Sequence, residues 1–588
     1  MGFWVFWNVA VVCLILVVGG CAKVGPLPMT VAISPQAAAV APGQTIQFAV
    51  SVTNDTAGLN WSASTGEIDS EGRYTAPLQA QSTTASVTAA SKMNPGMSAQ
   101  ATIHVVAPGQ VSASANPQVA LYSIAPGALG NVYVQFGPDT NYGLTTWAEP
   151  AQQDGGPVSL FVAGMRANST YHLRGLVQFT DGTTFTDGDQ TFETGALPSE
   201  RLPAITASTT PGMSPQSGVE LLDLVTGAPA SPAPPVIATD LNGNVVWSYS
   251  SGLVGRIANP IKLLPNGHFL INYSIAVAPI SGANSVLQEI DLSGAVVWQM
   301  TASDLNAALA AATCAGCNIT ILGTHHDFAP LPNGHLIVIA STQRNISGVT
   351  VTGDALIDLD ENRKPVWIWN EFDHLDLNRK PLGFPDWTHT NAVLYSADDG
   401  NLIVSIRNQN WLIKVDYANG TGQGDILWKL GYQGDFALLG GTDPTDWFYA
   451  QHGPSFVTKN TSGKFTLALF DNGDDRVFPS GVTCGTTGEP PCFYSTVPIL
   501  QLDEAGKIAT LIFNPATPTY SNFGGNTATM KNGNVEYCDT AGGPGTAAEI
   551  YEVLQQPNNP EVVWEMQVTG QFVYRGQRIP SLYPGVQW

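Results

Sequence analysis

Charge is what this 588-residue chain has least of: 12% of its residues are Asp, Glu, Lys or Arg, where a quarter is usual. Basic residues are scarcer still, 23 Lys and Arg against 46 Asp and Glu, for a net charge of −23. Such a balance excludes a general affinity for nucleic acid or anionic lipid, because both require a basic surface. Any anion bound here must be captured by a local site. Long apolar runs are missing too: beyond residue 20 no stretch reads as a membrane span. Cysteine is limited to seven residues. Its one CxxC, Cys314 and Cys317, lacks both a second CxxC to complete a zinc site and the βαβ context of a thioredoxin-type motif. A local disulfide is the expectation for that pair. Cys484 and Cys492 are expected to close another small loop, which leaves Cys538 over.

Turn chemistry, by contrast, is abundant, with 60 Gly and 41 Pro. With so few charges, it points to an exported, turn-rich, all-β protein of two to four domains. Residues 1–20 read as a targeting segment, with an apolar run Val9–Val18 followed by Gly19, Gly20 and Cys21. The small residues before Cys21 resemble the lipobox of bacterial lipoproteins, although the first residues carry no Lys or Arg. The resemblance implies lipidation at Cys21, a membrane tether, and a place in the cell envelope, periplasmic or at the cell surface. Residues 21–107 alternate short strands with Gly, Asn and Ser turns and resemble bacterial immunoglobulin-like modules, with Trp61 suited to the sandwich core. Residues 108–197, containing GNVYVQFGPDTNYG and STYHLRGLVQF, resemble a fibronectin type III β-sandwich in which His172 is structural. A linker rich in Pro, Thr and Ser is expected over 198–218.

From 219 to 588 the chain repeats itself. An acidic residue, a turn and an apolar run ending in an aromatic recur at Trp247, Trp298, Trp367, Trp428, Phe513 and Trp564. Between them falls a second phrase, as in LPNGHFLI, LPNGHLIVI and DDGNLIVSI. Six β-meander units of this kind predict a six-bladed β-propeller, each aromatic packing between neighbouring blades.

Histidines share a phase within these repeats. His389 and His452 stand equally far from their turn glycines, Gly400 and Gly463, and His326 stands three residues closer to Gly334. On innermost strands such positions converge on the central channel, with Asn259 taking the place in the preceding blade. His325 is expected to point to the opposite face, and His268 and His335, next to turn glycines, to lie at outer positions. Asp386–Gln409 reads as a hairpin centred near Asp398, which sets Arg407 close to His389 across the strands. An imidazole beside a permanent cation points to an oxyanion between them.

The repeats containing THHDF, DWTHTN, IVSIRNQ, WFYAQH and LFDNG, with the closing YRGQRIPSLYPG, resemble the bacterial arylsulfotransferases that use no nucleotide sulfate donor. The resemblance implies a six-bladed propeller that moves a sulfuryl group from a phenolic sulfate to another phenol through a sulfohistidine, without a cofactor or metal. It implies His452 as nucleophile with His326, His389 and Arg407 around it and Asn391 in an HxN motif; Gly453 stands where that motif is expected to carry Thr. Asn259, Trp387 and Tyr449 are candidate substrate contacts, the aromatics by stacking on phenol rings. Three imidazoles are also a zinc constellation, so a metal-dependent hydrolase is the first alternative, although Arg407 would repel the dication. A quinone-cofactor propeller and a non-catalytic propeller that binds glycans or proteins are the others.

Overall fold

The computed structural model describes residues 28–78, 81–152, 154–197, 202–225, 232–274, 285–478, 493–540, 548–556 and 560–588. The targeting segment 1–20, Cys21 and the Cys484–Cys492 pair lie outside the described residues. Within them the chain is all-β in character, with one α-helix, Ala302–Ala311, and no helix long and apolar enough to cross a membrane. Cys314 and Cys317 are disulfide-bonded, and Cys538 is a buried free thiol.

Residues 30–105 form small sheets around Ile33, Phe48, Tyr74, Val87 and Ile103, and Trp61 packs against that core. The alternation in the text becomes alternation in burial: along Thr83–Ser91, Ala85, Val87, Ala89 and Ser91 point inward. Residues 110–193 form two further sheets around Tyr122, Val134, Phe136 and Leu173. His172 pairs there with Asp189 at 2.8 Å. This second unit is fastened to the far end of the chain. The Trp588 indole donates to the Thr145 carbonyl at 2.9 Å, and the Tyr583 hydroxyl to that of Phe161 at 2.8 Å.

Among the described residues, 204–579 form six sheets of four or five strands. The first combines Val219–Val225, Val236–Thr239 and Val245–Tyr249 with Phe572–Ile579, so the last strand of the chain completes the sheet that the early strands began. The next three open with Ile257–Leu263, Ile321–Pro330 and Thr390–Ser396, the fifth with His452–Thr461 and the sixth with Asn526–Thr529. Part of the stretch read as linker belongs here, since Ala204–Thr209 pairs with Val562–Thr569 at the edge of the sixth sheet. The opening strands lie side by side in chain order, and the sixth touches Phe572–Ile579.

Repeat aromatics bridge consecutive sheets. The Trp247 indole donates to the Leu292 carbonyl, Trp428 to the Glu504 carboxylate and Trp564 to the Leu241 carbonyl, all within 3.0 Å. In the third sheet Trp369, two residues beyond the expected Trp367, makes the equivalent bond to Gly424 at 2.8 Å, while Trp367 packs edge-on against Tyr417. Burying an indole while satisfying its N–H gives the repeat both its apolar contact and its register.

Candidate active site

Four neighbouring opening strands lose register at the same end. The pairing shifts between Ala258 and Ile261, Thr324 and Phe328, Thr390 and Ala392, and His452 and Ser455. A bulge bends a strand and re-aims the side chains in it. Backbone geometry shows the distortion: His326 and His389 adopt φ of 58° and 51°, a left-handed conformation that costs a side-chain-bearing residue about 1–3 kcal/mol. Gly453, at φ 47°, adopts it without a Cβ penalty. A Cβ there would lie 2.5 Å from the Asn526 backbone, so the Thr expected after His452 would require that backbone to shift.

The bulged ends surround a cavity of about 570 Å³ lined by His325, His326, His389, His452, Arg407, Asn259 and Tyr574, with Val225, Ile257, Pro385 and Phe523 as an apolar wall. All four expected catalytic residues are therefore brought together. The hairpin reading is also seen: Thr390–Ser396 pairs with Asn401–Ile406, and Thr390 faces Ile406, which sets His389 and Arg407 just past the paired ends.

Each histidine of the trio is held from behind through Nδ1. For His452 the partner is Asn472 Oδ1 at 2.7 Å. The Asn472 amide cannot be flipped, because its Nδ2 donates to the carbonyls of Ser521 at 2.8 Å and Gly524 at 3.1 Å. Oδ1 must therefore accept, which places the His452 proton on Nδ1 and leaves Nε2 with a free lone pair. Burial, then the Arg407 guanidinium, push the pKa of His452 well below the usual imidazole value, with His389 and Arg575 adding to the effect and Asn472 opposing it. This ring is a neutral base at physiological pH.

His326 meets His389 with ring centres 4.8 Å apart, and its Nδ1 lies 2.5 Å from His325 Nδ1. Burial, then the neighbouring His389, hold its pKa well below normal as well. His389 Nδ1 bonds the Asp386 carboxylate at 2.5 Å. Arg407 is aimed by Asn408 Oδ1 at 2.8 Å, the Asn522 carbonyl at 3.3 Å and an ion pair with Asp474. Burial lifts Asp474 to about 6 against the pull of Arg407.

Some expectations change. His325 lines the same cavity as His326, because period-two alternation fails inside a bulge. Trp387 and Tyr449, expected at the cavity, are core residues. The Trp387 indole donates to the Arg379 carbonyl at 2.9 Å and the ring packs on Phe372, while the Tyr449 hydroxyl donates to Pro444 at 2.7 Å. Asn391 is positional: Nδ2 donates to the Gln451 carbonyl at 2.7 Å, and its own carbonyl accepts from Arg575 at 2.9 Å. The aromatics that do face the cavity are Phe523 and Tyr574, whose ring centre lies 5.8 Å from His326 and 5.9 Å from His452. Tyr574 is buried, and among the described residues its hydroxyl has no hydrogen-bond partner. Tyr574 and Arg575 belong to the closing YRGQRIP stretch, whose position in the text gives no sign of its return to the first sheet.

An all-β scaffold that gathers imidazoles beside the half-buried Arg407 guanidinium in one cavity is suited to hold an anionic group. Comparison with known families is specific on this point. The model of the arylsulfotransferase (ASST) family matches residues 208–575, and the chain belongs to that family. Membership makes it an enzyme of the aryl-sulfotransferase type, acting on small phenolic molecules. No protein of curated function matches the chain. Among solved structures, a mutant apocarotenoid oxygenase from Synechocystis aligns at 11% identity, 80% of this chain, 94% of that chain and a TM-score of 0.28. A chimera of apocarotenoid oxygenase and RPE65 aligns at 11%, 79%, 94% and 0.30. Likeness at this level carries no argument.

Proposed function

We propose that the six sheets form a six-bladed β-propeller whose central channel transfers sulfuryl groups between phenols without a nucleotide donor, through a sulfohistidine at His452. The observation that carries this reading is the fixed tautomer of His452, with Nδ1–H on Asn472 and a bare Nε2 in the cavity. Nε2 attacks sulfur in line, the N–S bond forms as the S–O bond to the aryl group breaks, and the electron pair leaves on the phenolic oxygen. Charge redistributes over the sulfuryl oxygens, where Arg407 and the unpartnered Tyr574 hydroxyl supply donors. The acceptor phenol then attacks the same sulfur and expels His452. The apolar wall of Val225, Ile257 and Phe523 suits an aromatic ring. A zinc reading is less favoured by Arg407, which lines the same cavity and would repel a dication.

The leading units act in this reading as immunoglobulin-like and fibronectin type III-like spacers, which hold the propeller away from an envelope membrane reached through lipidated Cys21. Incubation with 4-nitrophenyl sulfate, with and without phenol, tests the chemistry. Nitrophenol release should rise with phenol, give parallel double-reciprocal lines, and fall on the order of 10⁴-fold or more in His452→Ala. Mass spectrometry of the donor-treated enzyme should find one SO₃ on His452. Intersecting lines, or an unimpaired His452→Ala variant, would remove the covalent step.

A further inference from the structure

A phenolate has a conjugate acid of pKa about 10, so a proton must reach it as it leaves. His326 is poorly suited to store that proton. It is half-buried, and desolvation together with His389, His325, His452 and Arg575 raises the cost of a positive ring at its position. Behind it stands a second ring better placed for the charge. His325 Nδ1 touches His326 Nδ1, and His325 Nε2 lies 2.9 Å from the Asp354 carboxylate. Asp354 is itself built to be an anion. It accepts from the Ser341 hydroxyl at 3.1 Å, the Thr388 hydroxyl at 3.0 Å and the Thr390 amide at 2.7 Å. Burial works against its charge, but His325 and the Thr390 amide outweigh burial and hold its carboxyl below the usual range. The adjacent Glu371 does not compete as an anion, since burial and then the Asp354 charge lift it to about 8.

We propose that Asp354, His325 and His326 form a two-proton relay that stores the phenolic proton on His325 between the two halves of the reaction. In the charged state His325 carries protons on both nitrogens, with Asp354 as counterion, and donates Nδ1–H to a neutral His326 whose remaining proton is on Nε2. As the aryl–oxygen bond to sulfur breaks, the phenolic oxygen takes the Nε2 proton. The His325 Nδ1 proton crosses to His326 Nδ1 in the same step. Both rings are then neutral, and His325 keeps its Nε2–H on Asp354. An acceptor phenol reverses the sequence by giving its proton to His326 Nε2 as its oxygen attacks sulfur, so no proton is exchanged with bulk water. His325 acts through His326 and is a positioning residue. Its other neighbours in the network are Ser341, Thr388 and Glu371, reached through Asp354.

The relay rests on the sulfuryl-transfer reading, and its test separates the two. Wild type and His325→Gln, whose side chain hydrogen-bonds but holds no extra proton, are compared with 4-nitrophenyl sulfate and phenyl sulfate as donors. A relay predicts about tenfold loss with the nitrophenyl donor, a good leaving group, and at least a further hundredfold with phenyl sulfate. Equal losses with both donors would overturn the relay and leave His325 as packing. On wild type alone, the rate with phenyl sulfate in mixtures of light and heavy water should curve with deuterium fraction, because two protons move together. A straight line would overturn the proposal whether or not the variant folds. No turnover of either donor by wild type would overturn the reading of the site, and the relay with it.

Discussion

The same repeats place histidines in two surroundings, and the contrast separates the outer rings from those at the cavity. His268 and His335, beside the turn glycines, each bond a buried carboxylate: Glu289 at 2.7 Å and Asp358 at 3.0 Å. At the cavity, His452 bonds the neutral amide of Asn472 and sits near the Arg407 guanidinium. A carboxylate stabilises an imidazolium, whereas an amide beside a cation keeps the ring neutral. In the proposed reaction, partner, more than residue type, decides which histidine can attack sulfur. His389 combines both features, since it lies in the cavity yet bonds Asp386. That pairing holds His389 through Nδ1, as Asn472 holds His452.

The contrast breaks if His452 is given the partner of an outer histidine. Asn472→Asp places a carboxylate against Nδ1, which favours the imidazolium, so the lone pair is lost at pH values where wild type is active. Initial rates with 4-nitrophenyl sulfate should fall on the order of 10³-fold near pH 6 and recover in part as the pH rises. Because the carboxylate would also face the carbonyls of Ser521 and Gly524, circular dichroism must first show a folded variant. Asn472→Ala, which only frees the ring, should lose about 10²-fold in kcat with little change in KM. The next largest effect belongs to Arg407→Gln, about 10²-fold in kcat/KM from the lost sulfuryl contact. Its pH profile carries the sign. Arg407 depresses the pKa of His452, so wild type should hold its rate below pH 6.5, and removing the cation should move the acid limb upward toward neutrality. An acid limb that stays in place would show that burial and the remaining charges, not Arg407, keep His452 neutral.

Much of this was legible in the sequence because it is periodic. Turn phrases and spaced aromatics announce six sheet units, and Trp247, Trp428 and Trp564 bridge them as their spacing implies. The phase of His326, His389 and His452 likewise foretold a shared cavity. What period-two reasoning could not foresee were the bulges, where residues other than Gly take positive φ and both His325 and His326 reach the cavity. Nor could it assign the roles of Asn472, Asp354 and Tyr574, whose meaning comes from partners 20, 29 and 248 residues away. Trp387 and Tyr449 misled because an aromatic next to a catalytic position can equally be core.

Two smaller effects sharpen the comparison at its edges. Gly453→Ala adds a Cβ against the Asn526 backbone at a left-handed φ, and backbone cannot yield as a flexible side chain can. Denaturant unfolding should show about 1–3 kcal/mol of lost stability, together with a reduced rate because the adjoining His452 is displaced. The smallest effect is expected at an outer ring. Asp358 is fully buried, but besides His335 it accepts from the Tyr417 hydroxyl at 2.7 Å, so His335→Gln leaves it partnered and keeps a side chain able to donate. Stability should fall by about 1 kcal/mol or less. Because His335 does not line the cavity and its side chain pairs with Asp358 and Glu361, kcat/KM should stay within about twofold of wild type. A loss comparable to that of Arg407→Gln would mean that the outer carboxylate pairs also tune the cavity, and the division between the two kinds of histidine would no longer stand.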